Sequence, residues 1–329
     1  MMDKFILALF QENDKLRMST LYQILVGKKS ASMLYYAFQH HLLDIVGLLP
    51  NLRKDEFEKT IYQLCKQKYL ILNEGELTCL NNRQFLLSVE PYSHLNHYRL
   101  KNSLQLWRLL QLLISYLSYW PKDYQGPILE NSPFYLMNVN RMVANMTNET
   151  KMAIYQELVD IFSEMPAAQA DFLAQTLSGE SIQGHTFYQL LPDGLKSPFD
   201  TCYIFACVEH FWTQVMQKNE SQLFQYFKPF ILKNYKYSML VTRQLYKQGK
   251  SIEQIVQIRK LKEGTINDHL IEWAIGDDKF PFHQFQLLPL TESVLQYRYK
   301  EFTEQQPDVS FLQYRLSQIA FLKGRKANE

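Results

Sequence analysis

The chain of 329 residues lacks the patterns that build most metal, disulfide and catalytic sites. Its four cysteines include no C-x-x-C pair, which argues against a zinc site, and a disulfide framework is not expected in so long a chain. There is no glycine-rich phosphate loop of the Walker type and no H-E-x-x-H motif. We therefore expect a protein that is not an enzyme and that holds no metal and no cofactor.

Two pairs of potential metal ligands are three residues apart, His94 with His97 and Cys207 with His210. Neither pair has a third ligand at a matching spacing, so the sequence predicts no metal site at either place. Glu209 lies beside His210 in a segment rich in Phe, Trp and Cys. A buried polar pair is the expected role of these two side chains.

Glycine and proline are scarce, with 11 and 12 residues, which favours helices over turn-rich sheet. An apolar share of 47% with 21% charged residues excludes a disordered chain. Long apolar runs are also missing. The most hydrophobic helix candidate, 104–120, contains Arg108 and is too short to span a bilayer. The N-terminal apolar run is too short for a signal peptide, so we expect a soluble cytoplasmic protein with no membrane association.

The sequence predicts a mainly α-helical fold in three domains. Residues 1–98 form a winged-helix-like N-terminal domain, because amphipathic helices, the last over 53–66, precede one β-hairpin in YLILNEGELTCL. Ser19 and Ser30 are predicted N-caps in this domain. Residues 99–227 form a helical bundle, and residues 228–329 form a helix-turn-helix domain with a C-terminal tail.

The clearest motif lies at 251–273, SIEQIVQIRKLKEGTINDHLIEW. Gly249 closes the preceding segment, and Ser251 is placed to cap a short helix that begins at Ile252 and ends near Arg259. A second helix is predicted from Thr265. Two short helices joined by a tight turn cannot bury their own apolar faces, so they pack on each other and on the helix before them, as in a helix-turn-helix.

On the second helix, the spacing of Ile266, Leu270 and Trp273 indicates one buried face. His269 is expected to be packed and hydrogen-bonded beside that face. The outer side is predicted to carry the following residues: Lys262, Thr265, Asn267, Asp268 and Glu272.

Charge is nearly balanced over the chain, with 35 basic and 33 acidic residues and a net charge of +2. Only a local basic patch can therefore bind nucleic acid. Residues 228–262 contain nine Lys and Arg against Glu253 alone. This asymmetry is typical of a DNA-binding surface or of an ordinary solvated helix face. The predicted nucleic-acid-binding residues are Arg243, Lys247, Lys250, Ser251, Arg259, Lys260, Lys262, Thr265 and Asn267.

The second helix is less basic than the segment before it. From 260 to 275 it carries two lysines and three acids, a local charge of −1. Acids near a groove repel phosphate, so we expect contacts that are mainly to the DNA backbone, with little reading of bases.

The segment GKSIEQIVQIRKLKEGTINDHL resembles the helix-turn-helix domain of YpbB-like bacterial proteins, a domain that is also appended to some RecQ-type helicases. The N-terminal runs LYQILVGKKSASMLYYA at 21–37 and LLPNLRKDEFEKTIYQL at 48–64 resemble the same proteins. The chain departs from the pattern at Val256, where a small alanine is customary. The resemblance implies a DNA-associated accessory protein of bacteria, coupled to a RecQ-like helicase.

Three functions follow from these observations. The first is a DNA-binding accessory protein that acts with a RecQ-like helicase in DNA repair or recombination. The second is a protein-protein adaptor for a helicase that does not contact DNA. The third is a transcription regulator, although the chain has no heptad seam for the dimer that would read a palindrome.

Overall fold

The computed structural model describes residues 2–11, 14–80, 92–122, 130–144, 146–291, 295 and 299–326. As predicted, these residues are mainly α-helical, with one small sheet. Two compact units form: Met1–Gly27 with Leu43–Asn234, and Lys28–Leu42 with Tyr235–Glu329. The boundaries of these units differ from those of the three predicted domains. Residues 28–42 fall within the predicted N-terminal domain, but they belong to the same unit as residues 235–329.

The helices of the described residues are α1 (Met2–Leu7), α2 (Met18–Leu25), α3 (Ala31–Gln39), α4 (Lys54–Lys66), α5 (His97–Leu100), α6 (Ser103–Tyr119), α7 (Pro133–Ala144), α8 (Asn148–Glu164), α9 (Ala167–Ala174), α10 (Phe187–Leu190), α11 (Phe199–Gln217), α12 (Gln222–Ile231), α13 (Tyr237–Lys247), α14 (Ile252–Arg259), α15 (Glu263–Gly276), α16 (Tyr299–Gln305) and α17 (Phe311–Lys326). The strands are β1 (Lys15–Arg17), β2 (Leu70–Asn73) and β3 (Glu76–Cys79).

The predicted hairpin is confirmed as β2 and β3. Glu74 and Gly75 connect the strands with φ angles of 50° and 83°, the positive values that a tight hairpin turn requires. The sequence did not predict β1, which pairs antiparallel with β3 and places Leu16 opposite Leu77. Three antiparallel strands therefore stand in the order β1-β3-β2.

The predicted caps of the N-terminal helices have different outcomes. Ser30 caps α3 as predicted, since its hydroxyl accepts from the Met33 amide at 3.3 Å. Ser19 is not an N-cap, because α2 already begins at Met18, directly after β1. The amphipathic helix predicted over 53–66 is confirmed as α4, which buries Phe57 with Ile61 and Leu64 on one face.

The centre of the first unit is a helical bundle. The helix α11 packs against α6, α8, α9 and α12, and the apolar core includes Trp107, Phe211, Trp212 and Phe227, all at most 1% exposed. Large aromatic side chains supply much of the buried area in such a core. The aromatic richness of this region therefore serves packing.

A carboxyl group, that of Glu209, lies inside this bundle. Glu209 is fully buried, and it accepts hydrogen bonds from the Asn96 amide at 2.7 Å and the Ser103 hydroxyl at 3.4 Å. His97 Nδ1 lies 2.7 Å from its carboxylate, and burial raises the pKa of Glu209 while His97 opposes that rise. Glu209 is thus a buried, partnered polar group, as predicted, although its partner is His97 rather than His210.

The second unit forms around α15. This helix packs against α3, α13, α14 and α17, so its residues from His269 to Ile275 are all buried. Arg315 of α17 lies over the ring of Tyr35 on α3, 3.6 Å from the ring centroid. Residues 28–42 therefore supply one wall of the unit that contains the predicted helix-turn-helix.

Candidate nucleic-acid interface

The first helix of the motif is set by its capping residues. Gly249 closes the segment after α13 with a φ angle of 80°, which favours glycine. The Ser251 hydroxyl accepts from the Gln254 amide at 3.3 Å, and the Gln254 side chain accepts from the Ser251 amide at 3.0 Å. This reciprocal capping box begins α14 at Ile252, as predicted.

The turn between the two helices is formed by Lys260, Leu261 and Lys262. Lys260 adopts the left-handed conformation, with φ 51° and ψ 39°, and ends α14. The second helix, α15, begins at Glu263, two residues before the predicted start at Thr265, because Glu263 and Gly264 complete its first turn. Lys260 and Lys262 both project into solvent at this turn.

Arg259 fixes the position of α14 against α13. Its Nη1 donates to the Ser238 carbonyl and to the Thr242 hydroxyl at 2.6 Å, and its Nη2 donates to the Ser238 hydroxyl at 2.9 Å. The guanidinium is half-buried, and its described contacts lie within the module. Arg259 therefore has a structural role that the sequence did not predict.

The same network reaches α15 through His269. The Thr242 hydroxyl lies 2.9 Å from His269 Nδ1, so α13 bridges the other two helices of the motif. Burial, with the charges of Arg259 and Lys236, lowers the pKa of His269 from 6.5 to about 4. His269 is a packed, hydrogen-bonded and neutral histidine at pH 7, as predicted.

The predicted outer side of α15 needs one correction. Glu272 is only 7% exposed, and its carboxylate lies 2.7 Å from Lys236 Nζ. It is buried because α3 and α17 cover faces of α15 that a two-helix motif leaves open. Lys262 and Asp268 are exposed, whereas Thr265 and Asn267 are half-buried. The Asn267 Oδ1 atom is buried and has no hydrogen-bond partner among the described residues.

The remaining predicted residues divide into paired and exposed groups. Arg243 is half-buried, lies 3.2 Å from Asp277 and is 5.6 Å from the Trp273 ring. Ser251 is exposed but engaged in the cap. The exposed lysines are Lys247, Lys250, Lys260 and Lys262, and Lys247 Nζ also lies 5.7 Å from the Trp273 ring centroid. They lie in two pairs, one before α14 and one directly after it.

Comparison with protein-family models and with known proteins agrees with a helix-turn-helix at the C-terminal end of the chain. A model of the "Helix-turn-helix domain" family matches residues 238–318, from Ser238, which accepts two of the Arg259 hydrogen bonds, to the middle of α17. The C-terminal module is a helix-turn-helix domain. The chain is also similar to the protein YpbB of Bacillus subtilis (strain 168), with 23% identity over 284 residues, 81% of this chain and 80% of that protein. No solved structure matches the chain.

The resemblance to YpbB-like proteins stated from the sequence is therefore confirmed. The match to the helix-turn-helix family omits residues 28–42, although α3 packs on the second helix of the motif. Within the described ranges, no three His, Cys, Asp or Glu side chains are placed to hold a metal ion. No helix in the same ranges is long and apolar enough to cross a membrane.

Proposed function

We propose that the helix-turn-helix domain binds DNA mainly through the sugar-phosphate backbone and with little sequence selectivity. The observation that carries this proposal is the exposure of four lysines on either side of α14 in the sequence: Lys247 and Lys250 before it, and Lys260 and Lys262 after it. Lysine binds phosphate as a point charge and releases counterions from DNA, which favours binding of any sequence.

The spacing of the two lysine pairs supports this proposal. Lys250 and Lys260 are separated by Ser251 and the eight residues of α14, and at about 1.5 Å per residue this helix is about 12 Å long. The major groove of B-DNA is also about 12 Å wide. In this proposal, Lys250 and Lys260 contact phosphates on opposite edges of a groove, with α14 lying across it.

The N-terminus of α15 adds a further attraction for phosphate. Among the described residues no side chain caps this helix start, and Gly264 in its first turn is exposed, with open space where a side chain would stand. Uncapped amides and the helix dipole together favour an anion at such an end. Lys260 and Lys262 flank this end, while Glu263 opposes the attraction.

The burial of α15 supports weak sequence selectivity. From His269 onward the helix is covered on every side, so only its first turn and a half is open to a groove. Asn267, the predicted residue best suited to pair with adenine, has its amide oxygen buried. Few side chains remain to read bases.

We further propose that the chain acts with a RecQ-like helicase in DNA repair or recombination in the bacterial cytoplasm. The support is the resemblance of the motif at 249–270 to domains appended to such helicases. A direct test measures unwinding of a forked duplex by a RecQ-like helicase of the same genome, with and without this protein. We expect a change in the unwinding rate, and an unchanged rate together with no co-purification contradicts the partnership.

An adaptor that binds the helicase without DNA is the second candidate. The acids Glu263 and Asp268 at the exposed start of α15 favour it, since they repel phosphate and suit a basic protein surface. In that case the helicase would co-purify with the chain, and DNA binding would be absent at low salt.

We also propose that the N-terminal elements form a winged helix. The order α1, β1, α2, α4, β2, β3, with a sheet ordered β1-β3-β2, supports this, and the segment 26–53 is an insertion between two of its helices. The first turn of α4 carries Asp55 and Glu56, and the wing tip carries Glu74. These acids disfavour DNA, so a protein partner is the expected ligand of this module.

The DNA proposal is tested by binding to two duplexes of unrelated sequence at low salt. We expect similar affinities for both, and an equal loss for both in the variant Lys260→Glu/Lys262→Glu. The matched control is Lys59→Glu/Lys66→Glu, which reverses two exposed charges on α4 and should leave the affinity unchanged. A loss confined to one sequence, or an equal loss in the control, contradicts the proposal.

A further inference from the structure

One aromatic side chain projects from the helix-turn-helix domain into solvent. Tyr237, the first residue of α13, is 80% exposed, the highest value among the large apolar side chains of the described residues. An isolated exposed aromatic residue is common on protein surfaces. The residues next to Tyr237 in the chain indicate a more specific role for this side chain.

The backbone on both sides of Tyr237 is held in place. Lys236 forms an ion pair with the buried Glu272, with 2.7 Å between Nζ and Oε2. Ser238 accepts two hydrogen bonds from Arg259, one at its carbonyl and one at its hydroxyl. The ring of Tyr237 is thus presented from a fixed backbone, which lowers the entropy cost of contacts made by that ring.

The hydrogen bonds of Arg259 also connect the start of α13 to the end of α14. Arg259 Nη2 donates to the Ser238 hydroxyl, and Tyr237 and Lys260 are the next residues along the chain from this hydrogen-bonded pair. Ile258, on the other side of Arg259, is 55% exposed. The exposed side chains of Tyr237, Ile258 and Lys260 are therefore each one residue away in the chain from Ser238 or Arg259, which are hydrogen-bonded to each other.

This combination suits single-stranded nucleic acid. Lysines hold the backbone, and an aromatic ring stacks on an unpaired base of any type. We propose that Tyr237 is a stacking platform for an unpaired base, which makes the domain prefer DNA in which a single strand adjoins a duplex. This inference deepens the proposed function and rests on it.

The test compares blunt duplex, forked duplex and single-stranded DNA by fluorescence anisotropy, with 2-aminopurine as the first unpaired base of the fork. The variants are Tyr237→Ala and Tyr237→Phe. The matched control is Tyr188→Ala, because Tyr188 is 77% exposed and belongs to the other unit. Circular dichroism melts establish that each variant is folded.

We expect Tyr237→Ala to weaken fork binding between about fivefold and about 150-fold, the range of one lost stacked base. The affinity of Tyr237→Ala for blunt duplex should be unchanged. Tyr237→Phe and Tyr188→Ala should bind all three DNAs as the parent does. The quenching of 2-aminopurine fluorescence should be lost in Tyr237→Ala alone. Equal fork binding by Tyr237→Ala and the parent, or an equal loss on fork and duplex, overturns the inference.

The two proposals fail in different ways. If the parent protein binds duplex DNA with no preference for the fork, the proposed function stands and the stacking role of Tyr237 is refuted. If the parent protein binds none of the three DNAs at low salt, both are refuted.

Discussion

Replacement of Arg259 by methionine tests the structural role that separates this residue from the surface lysines. The variant Arg259→Met removes three hydrogen bonds, to the Ser238 carbonyl, the Ser238 hydroxyl and the Thr242 hydroxyl. Hydrogen bonds to a charged donor contribute about 1.5–3 kcal/mol each when buried. Arg259 is half-buried, and water replaces part of the loss, so we expect a destabilisation of about 2–4 kcal/mol in total.

Hydrogen exchange with mass spectrometry measures this effect where it should occur. A loss of about 2–4 kcal/mol speeds amide exchange by about 30-fold to several-hundredfold in peptides from α13, α14 and α15. Peptides from α6 and α11, in the other unit, should exchange as in the parent. Arg259→Lys should not restore protection, because an ammonium cannot reproduce the forked geometry of the guanidinium.

The matched control is Lys262→Met, at an exposed lysine three residues away in the turn that follows α14. A surface substitution of this kind changes stability by about 0.5 kcal/mol or less. Equal protection in Arg259→Met and the parent, or an equal loss in Lys262→Met, refutes the structural role of Arg259.

Three further predictions concern the same unit. Lys260→Gly should raise the free energy of unfolding by about 0.5–1 kcal/mol, because glycine adopts the left-handed conformation of Lys260 without strain. The same variant should weaken DNA binding. Calorimetry measures the first effect and fluorescence anisotropy the second. In the unfolded state His269 binds a proton near pH 6.5, whereas in the folded state it does so only near pH 4. The free energy of unfolding should therefore be highest above pH 6.5 and fall by about 3 kcal/mol as the pH is lowered from 6.5 to 4. Urea titrations at each pH measure this fall. His269→Gln should abolish that dependence. A fragment of residues 228–329 lacks α3 and should melt without a cooperative transition unless residues 28–42 are supplied as a peptide; a sharp melt of the fragment alone contradicts this.

The parts of the fold that the sequence predicted are those with local causes. The capping of α14 by Ser251 depends on a residue three positions away, and the apolar spacing of Ile266, Leu270 and Trp273 lies within one helix. The hairpin turn is likewise set by two adjacent residues. Such features can be predicted from the sequence because the residues that interact are close in the chain.

The parts that the sequence did not predict depend on distant partners. Arg259 reaches Ser238 across 21 positions, and Glu272 is buried because α3, more than two hundred residues earlier, packs on α15. The strand β1 has only three residues, too few for a pattern, and it forms by pairing with β3. The exposure of Tyr237 also follows from tertiary packing, since a tyrosine at a helix start gives no sign of its surroundings.

The salt dependence of duplex binding tests the central claim most directly. If Lys247, Lys250, Lys260 and Lys262 each neutralise one phosphate, a plot of log K against log salt concentration should have a slope of about −3.6. The variant Lys260→Ala/Lys262→Ala should reduce that slope to about half. A parent slope near zero, or an undiminished slope in the double variant, contradicts DNA binding by these lysines.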